Sequence, residues 1–88
     1  MNVFFHRQFM KDRQRIEESG WNMRLLDEFM RSCKNWPLPR AYEAHEMKGQ
    51  MAGVWDAHIR QNWVVQFRKD SDTILLIRTG THAMLGIG

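Results

Sequence analysis

The stretch GVWDAHIR, residues 53–60, places an acid, an imidazole and a guanidinium at alternate positions. In an extended strand Trp55, Ala57 and Ile59 fall on one face, and Asp56, His58 and Arg60 fall on the other. Gln66 and Arg68 share that second side on the next extended run, Arg78 on the run after it, and His82 follows if the chain stays extended past Thr79. Histidine exchanges a proton near neutral pH. Arginine stays charged and presents donors in a fixed fork that matches phosphate oxygens. Together they suit proton transfer at a phosphate ester, and an ordinary solvated sheet face accounts for the same pattern.

The elements that carry these residues follow from periodicity. Asn2 to His6 is a short aromatic and β-branched run, read as a strand. Gln8 to Ser19 reads as a thinly apolar amphipathic helix with Phe9, Met10 and Ile16, stopped at Gly20. Asn22 caps a second helix in which Met23, Leu26, Met30 and Cys33 recur at three and four residues, a core stripe. NWPLPR ends it, because neither proline extends a helix. Ala41 to Ala52 holds no period and reads as an ordered loop. Three strands follow, Val54–Arg60, Trp63–Arg68 and Thr73–Thr79, joined by tight turns. Their parity assigns Trp63, Val65, Phe67, Leu75 and Ile77 to the core, and Val54, Val64, Ile74 and Leu76 to the outer face. The order β-α-α-β-β-β is that of an α+β domain, two N-terminal helices on one face of a small twisted antiparallel sheet. The whole chain, 1–88, is expected to form this single domain.

Composition narrows the partner. The 88 residues carry a formal charge of +3, and nine of the thirteen basic residues are arginine, a bias towards a polyanion. No apolar run nears the ~20 residues of a membrane span, and the N-terminus has its charges after its apolar residues, the reverse of a secretory signal. The single cysteine, Cys33, forms no intramolecular disulfide, which suits a reducing cytoplasm. It reads as a core residue and not a nucleophile. Trp36, Trp55 and Trp63 read as packing residues, Trp21 as helix packing or a partner contact, and His6 as structural.

The segments LP..Y..H...G (38–49), G..DAHI...W (53–63) and R.GTHA.L (78–85) occur in this order and spacing. With the helices, strand order and length, they resemble the YafQ-like branch of the RelE superfamily, the mRNA-cleaving toxins of bacterial toxin–antitoxin pairs. The resemblance implies metal-independent, ribosome-assisted cleavage of mRNA, in which the substrate's own 2′-hydroxyl attacks the adjacent phosphate. It also implies a small acidic antitoxin as partner, mRNA and the ribosome as targets, no membrane association and no cofactor. The family's functional histidines match His45, His58 and His82. Such cleavage needs a base, an acid and cations at the phosphorane. His45 is assigned as base, His82 as acid and His58 as an assisting group, while Arg60, Arg78, Arg68 and Lys48 are expected to hold RNA phosphates. Asp56 either orients an imidazole or pairs with Arg60 or Arg68 across the hairpin. Two positions depart from the family pattern. Asn62 stands where an acid is frequent and would contribute only hydrogen bonds to catalysis, and Gly86 stands where an aromatic is frequent. These departures favour a competing reading, a non-catalytic toxin-fold partner in an antitoxin repressor complex. A gyrase poison of the related ParE type fits less well, since those toxins lack the histidine set. Three histidines could also hold zinc, but no spacing here resembles a known ligand pair, so no metal site is expected.

Overall fold

The computed structural model describes residues 1–86; residues 87 and 88, the last two of the expected domain, lie outside the described residues. The elements run β1 (Asn2–Phe5), α1 (Arg7–Glu18), α2 (Met23–Ser32), β2 (His45–Glu46), β3 (Val54–Arg60), β4 (Trp63–Lys69), β5 (Thr73–Gly80) and α3 (His82–Leu85). Local chemistry accounts for the helix boundaries. The Nδ1 of His6 accepts from the Gln8 backbone N–H and caps α1, so this histidine is structural, as expected. Asn22 caps α2 through Arg24 N–H. Gly20, at φ 82°, turns the chain out of α1 in a conformation that a side chain resists.

The α+β architecture with two helices against the sheet matches the expectation, and the sheet is larger and of mixed direction. Its five strands are ordered β1-β5-β4-β3-β2. β1 runs parallel to β5, pairing Asn2 with Thr73, whereas the other ladders are antiparallel. The loop expected at Ala41–Ala52 contains the edge strand β2 between two single 3₁₀ turns, Arg40–Tyr42 and Gly49–Met51. Two residues are too few for any alternation to show, and this strand carries His45.

The core lies between the helices and one sheet face. It joins Phe9, Ile16, Leu26, Phe29 and Cys33 to Ala57, Trp63, Val65, Phe67, Ile74 and Leu76. Ile74 and Leu76 are fully buried here, which corrects the outer-face assignment. The reason is a register shift: Gln66 pairs with Arg78 and Phe67 with Leu76, so Ile77 is the extra residue of a bulge. One inserted residue inverts parity along the rest of the strand. A second shift separates the pairs His58–Val64 and Arg60–Trp63, with Ile59 between them. Aromatic rings fill the far end of the sheet. Trp36 meets Trp55 edge-on at 5.2 Å, and Trp55 stacks on Phe67 at 6.0 Å.

One buried polar group has no counterpart in the apolar pattern. Asp12 lies on the inner face of α1 between Phe9 and Ile16 and is 4% exposed. Its Oδ2 accepts from Arg78 Nε at 2.7 Å and from the Thr79 backbone N–H at 3.1 Å. Its Oδ1 accepts from a terminal nitrogen of Arg78 at 3.2 Å and from Gln8 Nε2 at 3.1 Å. Thr79 in turn accepts from the Trp63 indole N–H and donates to the Val64 carbonyl. Replacing Asp12 by Ala strands these donors, and a buried pair broken on one side is expected to cost about 2–4 kcal/mol. Urea unfolding should show a lower midpoint for Asp12→Ala with an unchanged slope. An unmoved midpoint would show that the carboxylate does not anchor the strand.

Candidate active site

The outer face of the sheet carries a row of polar residues in register. His45 on β2 pairs with Asp56 on β3, Asp56 with Gln66 on β4, and Gln66 with Arg78 on β5. His58 lies two residues beyond Asp56, diagonal to His45. Their rings lie nearly parallel with centroids 6.5 Å apart. The third imidazole arrives by another route. β5 ends at Gly80, and Thr81 caps α3 by accepting from the Met84 N–H, so His82 opens a short helix where an extended chain was expected. Gly80 has φ 149°, and a Cβ there would lie 3.2 Å from Met84 Cε. Only glycine lets α3 fold back this closely. The His82 ring then lies 5.8 Å from that of His58. Three histidines far apart in sequence thus form one cluster, with His58 close to each of the other two.

Hydrogen bonding distinguishes the members of this cluster. His45 Nδ1 lies 3.2 Å from the Glu43 carbonyl. A carbonyl only accepts, so Nδ1 carries the proton in that bond and the neutral ring keeps its lone pair on Nε2. His45 is an exposed residue of the edge strand. Beneath the imidazoles the face is closed. Asp56 and Gln66 are each 5% exposed. Asp56 Oδ1, His58 Nδ1 and Gln66 Nε2 are buried without a hydrogen-bond partner among the described residues. Burial pushes the Asp56 carboxyl above its ordinary 3.8, against the downward pull of His58, His45 and His82. Asp56 makes no salt bridge to Arg60 or Arg68 among the described residues, so the cross-hairpin pairing is not the one adopted.

The cationic residues are dispersed. The bulge at Ile59 breaks the alternation that would place Arg60 beside His58. Arg60 instead pairs with Trp63 and sits at a rim shared by two hollows. One hollow includes His58, Glu43 and Ala41, and the other Trp21, Asn62, Trp63 and Thr81. Asn62 is an exposed turn residue of the second hollow. Arg78 has its guanidinium engaged by Asp12 and a side chain 31% exposed. Arg68 and Lys48 are exposed, and the Arg68 guanidinium passes close over Gly53. Cys33 is remote from these groups in the core, where burial pushes its thiol up to about 12 and leaves no thiolate at neutral pH. Strand parity put Gln66 on this face without giving it a role, and its pairing with Asp56 makes it part of the floor. The signal was a lone amide in an otherwise apolar run, WVVQF.

Comparison with known proteins agrees with this architecture. The family model described as the bacterial toxin of the type II toxin–antitoxin system, YafQ, matches residues 1–86. The mRNA interferase toxin YafQ of Escherichia coli K12 is 29% identical over 86 residues, which cover 96% of this chain and 94% of that protein. The crystal structure of YafQ from E. coli BL21(DE3) superposes with a TM-score of 0.88 at 27% identity, covering 96% of each chain. YafQ in the E. coli DinJ–YafQ complex gives 0.87 at 29% identity, again over 96% of each chain.

The buried Asp56 yields a sign that can be checked. A carboxyl whose pKa is raised by folding penalises the fold once it ionises. The penalty is absent below the unfolded value of 3.8 and complete above the folded value. Asp56→Asn, which keeps the shape and removes the charge, should therefore raise the urea midpoint at about pH 7.5, and the gain should vanish near about pH 3.5. A variant less stable than the parent at neutral pH would contradict this account.

Proposed function

The chain belongs to the YafQ family of bacterial type II toxins, and we propose that it is an endoribonuclease that cleaves mRNA on the ribosome, without a metal cofactor, in the cytoplasm. The observation that carries this reading is the cluster of imidazoles His45, His58 and His82, in which the His58 centroid lies 6.5 Å from that of His45 and 5.8 Å from that of His82, over a closed polar floor. In-line displacement needs proton acceptor and donor on opposite sides of the phosphorus. We assign those roles to His45 and His82, which approach His58 from different elements. The Nε2 lone pair of His45 takes the proton of the 2′-hydroxyl. Its oxygen then bonds to phosphorus, and His82 protonates the departing 5′-oxygen. His58 donates to the phosphorane, and Asp56 lies buried beside it on the same strand face. Cleavage then leaves a 2′,3′-cyclic phosphate and a free 5′-hydroxyl.

Arg60, at the rim of both hollows, is suited to the scissile phosphate. Exposed Arg68 and Lys48 would follow the RNA backbone, and Arg78 contributes through the edge of the guanidinium that Asp12 leaves uncovered. Asn62 lines the hollow that also includes Thr81, the residue before His82, where its amide is placed to hydrogen-bond RNA. The E. coli DinJ–YafQ toxin–antitoxin complex supports a cognate antitoxin here, and the net charge of +3 suits a small acidic one. Exposed Phe4, Phe5 and Met10, bordered by basic Arg7 and Lys11, suit such a partner. A second reading, a non-catalytic partner acting only in a repressor complex, is favoured by Asn62, which supplies no charge, and by Gly86. The latter serves as the left-handed C-cap of α3 and offers no ring to a base.

Mapping of mRNA ends after induction decides between the two readings. Cleavage should survive EDTA and give the cyclic phosphate or its monophosphate, and 5′-phosphate ends would overturn the mechanism. His82→Ala should lower the rate by about 10²-fold or more, the usual loss for a positioned acid. A His82→Ala chain that arrests growth like the parent would remove His82 from catalysis. Asn62→Asp should speed cleavage and move the basic limb of its pH profile upward, with folding unchanged, because a carboxylate favours a nearby imidazolium. An unaltered profile would place Asn62 outside the reacting cluster.

A further inference from the structure

We propose that the hollow between the α1–α2 junction and the β3–β4 turn receives a base of the RNA, the one on the 3′ side of the cleaved bond, stacked against Trp21. The hollow has a volume of about 530 Å³, inside the ~300–1,000 Å³ range of small-ligand sites. Its wall joins Trp21 to the amide residues Asn22, Gln61 and Asn62, to Arg60 and to Thr81. No acidic residue lines it among the described residues. An aromatic surface beside amides and a cation is the combination that recognises unpaired RNA bases.

The indole is braced from behind. Trp63, also in the wall, is 4% exposed, and its N–H donates to Thr79 Oγ1 at 3.0 Å. Trp21 meets this fixed ring edge-on, with centroids 5.0 Å apart. The Trp21 backbone N–H donates to the Ile16 carbonyl at 3.1 Å, and Asn22 follows at once as the cap of α2. Trp21 itself is only half-buried. A large ring held in place and left partly bare stacks on any base, since every base has a π face.

The amides add contacts to the base edge. Each carries both a donor and an acceptor, as base edges do, and Gln61 and Asn62 are exposed on the turn. Arg60 supplies the one charge among the described lining residues, of the sign that phosphates favour. The side of the cut rests on the proton roles proposed above. His82 protonates the departing 5′-oxygen, which belongs to the nucleotide 3′ of the cut. Thr81, the residue before His82, lines the hollow, and Arg60 borders both this hollow and the one that includes His58. A phosphate held at Arg60 therefore has the base of the leaving nucleotide on the Trp21 side. Gly86, at the end of α3, has no ring to offer, so Trp21 supplies the aromatic surface.

Nuclear magnetic resonance of the full chain tests the base site without any cleavage. At least one of adenosine, guanosine, cytidine and uridine 3′,5′-bisphosphate should shift the Trp21 indole N–H saturably, while that of Trp36, at the far end of the sheet, stays in place. Ribose 3,5-bisphosphate, which has no base, should leave Trp21 unmoved. A Trp21 signal unmoved by all four nucleotides, or moved equally by the base-free compound, overturns the site. Trp21→Ala should raise the dissociation constant at least about fivefold, the low end for a lost base stack, and Trp21→Phe should restore most of the affinity. An unaltered constant in Trp21→Ala also overturns the site, and should that variant fail to fold, the shifts in the unsubstituted chain decide. The 3′ placement is read from the cleavage rate of mRNA in which one nucleotide beside the cut lacks its base. Loss of the 3′ base should slow the unsubstituted chain at least about fivefold, and Trp21→Ala should add little to that loss. Losses that multiply, or a loss confined to the 5′ base, overturn the placement. A chain whose Trp21 responds to nucleotides but which cuts no mRNA overturns the nuclease reading and the 3′ placement, and leaves the base site standing.

Discussion

The carboxylate of Asp12 is the constraint on which the placement of the site depends. It sits under the second half of β5, where β1 has already ended and no strand pairs with that edge. It replaces the missing ladder by accepting from the Thr79 backbone and gripping the Arg78 fork. Immediately beyond lie Gly80, Thr81 and His82. Were this end of β5 free to move, the third imidazole would have no defined position relative to the other two. A buried ion pair is weak evidence for stability as such, because desolvation offsets much of the attraction. Here its role is positional. It fixes a strand end from which a histidine is delivered.

Much of this was legible before any coordinates. Three strands and two helices appeared near their observed limits because each has a clean period and recognisable punctuation: Asn22 before α2, the prolines after it, and turn residues at Asn62 and Asp70–Asp72. What parity could not show were the two bulges. Alternation is a local rule, and an inserted residue such as Ile77 is indistinguishable in sequence from any other β-branched residue. That single uncertainty exchanged Ile74 and Leu76 with Leu75 and Ile77. Strand β2 was equally hidden, since two residues carry no periodicity. Asp12 read as one polar residue of a polar helix, although its position between Phe9 and Ile16 at helical spacing was the available clue.

For the site, residue types were legible and relations among them were not. His58 and Asp56 follow from strand alternation. His45 and His82 were placed by resemblance, and their convergence on His58 depends on an edge strand and a capped helical turn. The arginines show how pattern overstates a cluster. Read along the strands, Arg60, Arg68 and Arg78 share a face, whereas in the fold one sits on a rim, one crosses a glycine and one is bound to an aspartate. The basic surface around the histidines is therefore thinner than the sequence suggests.

The parallel pairing of β1 with β5 closes the chain into a ring, joining Asn2 to Thr73 at the outset and Asp12 to Arg78 a few residues later. Such contacts span most of the sequence, and loop closure over that distance is slow because its entropy must be surrendered before any contact forms. The hairpin of β3 and β4 and both helices are local and can form early. They hold His58 but not His82. A partly folded chain therefore lacks the full histidine cluster, which is complete only once this long-range pairing has formed.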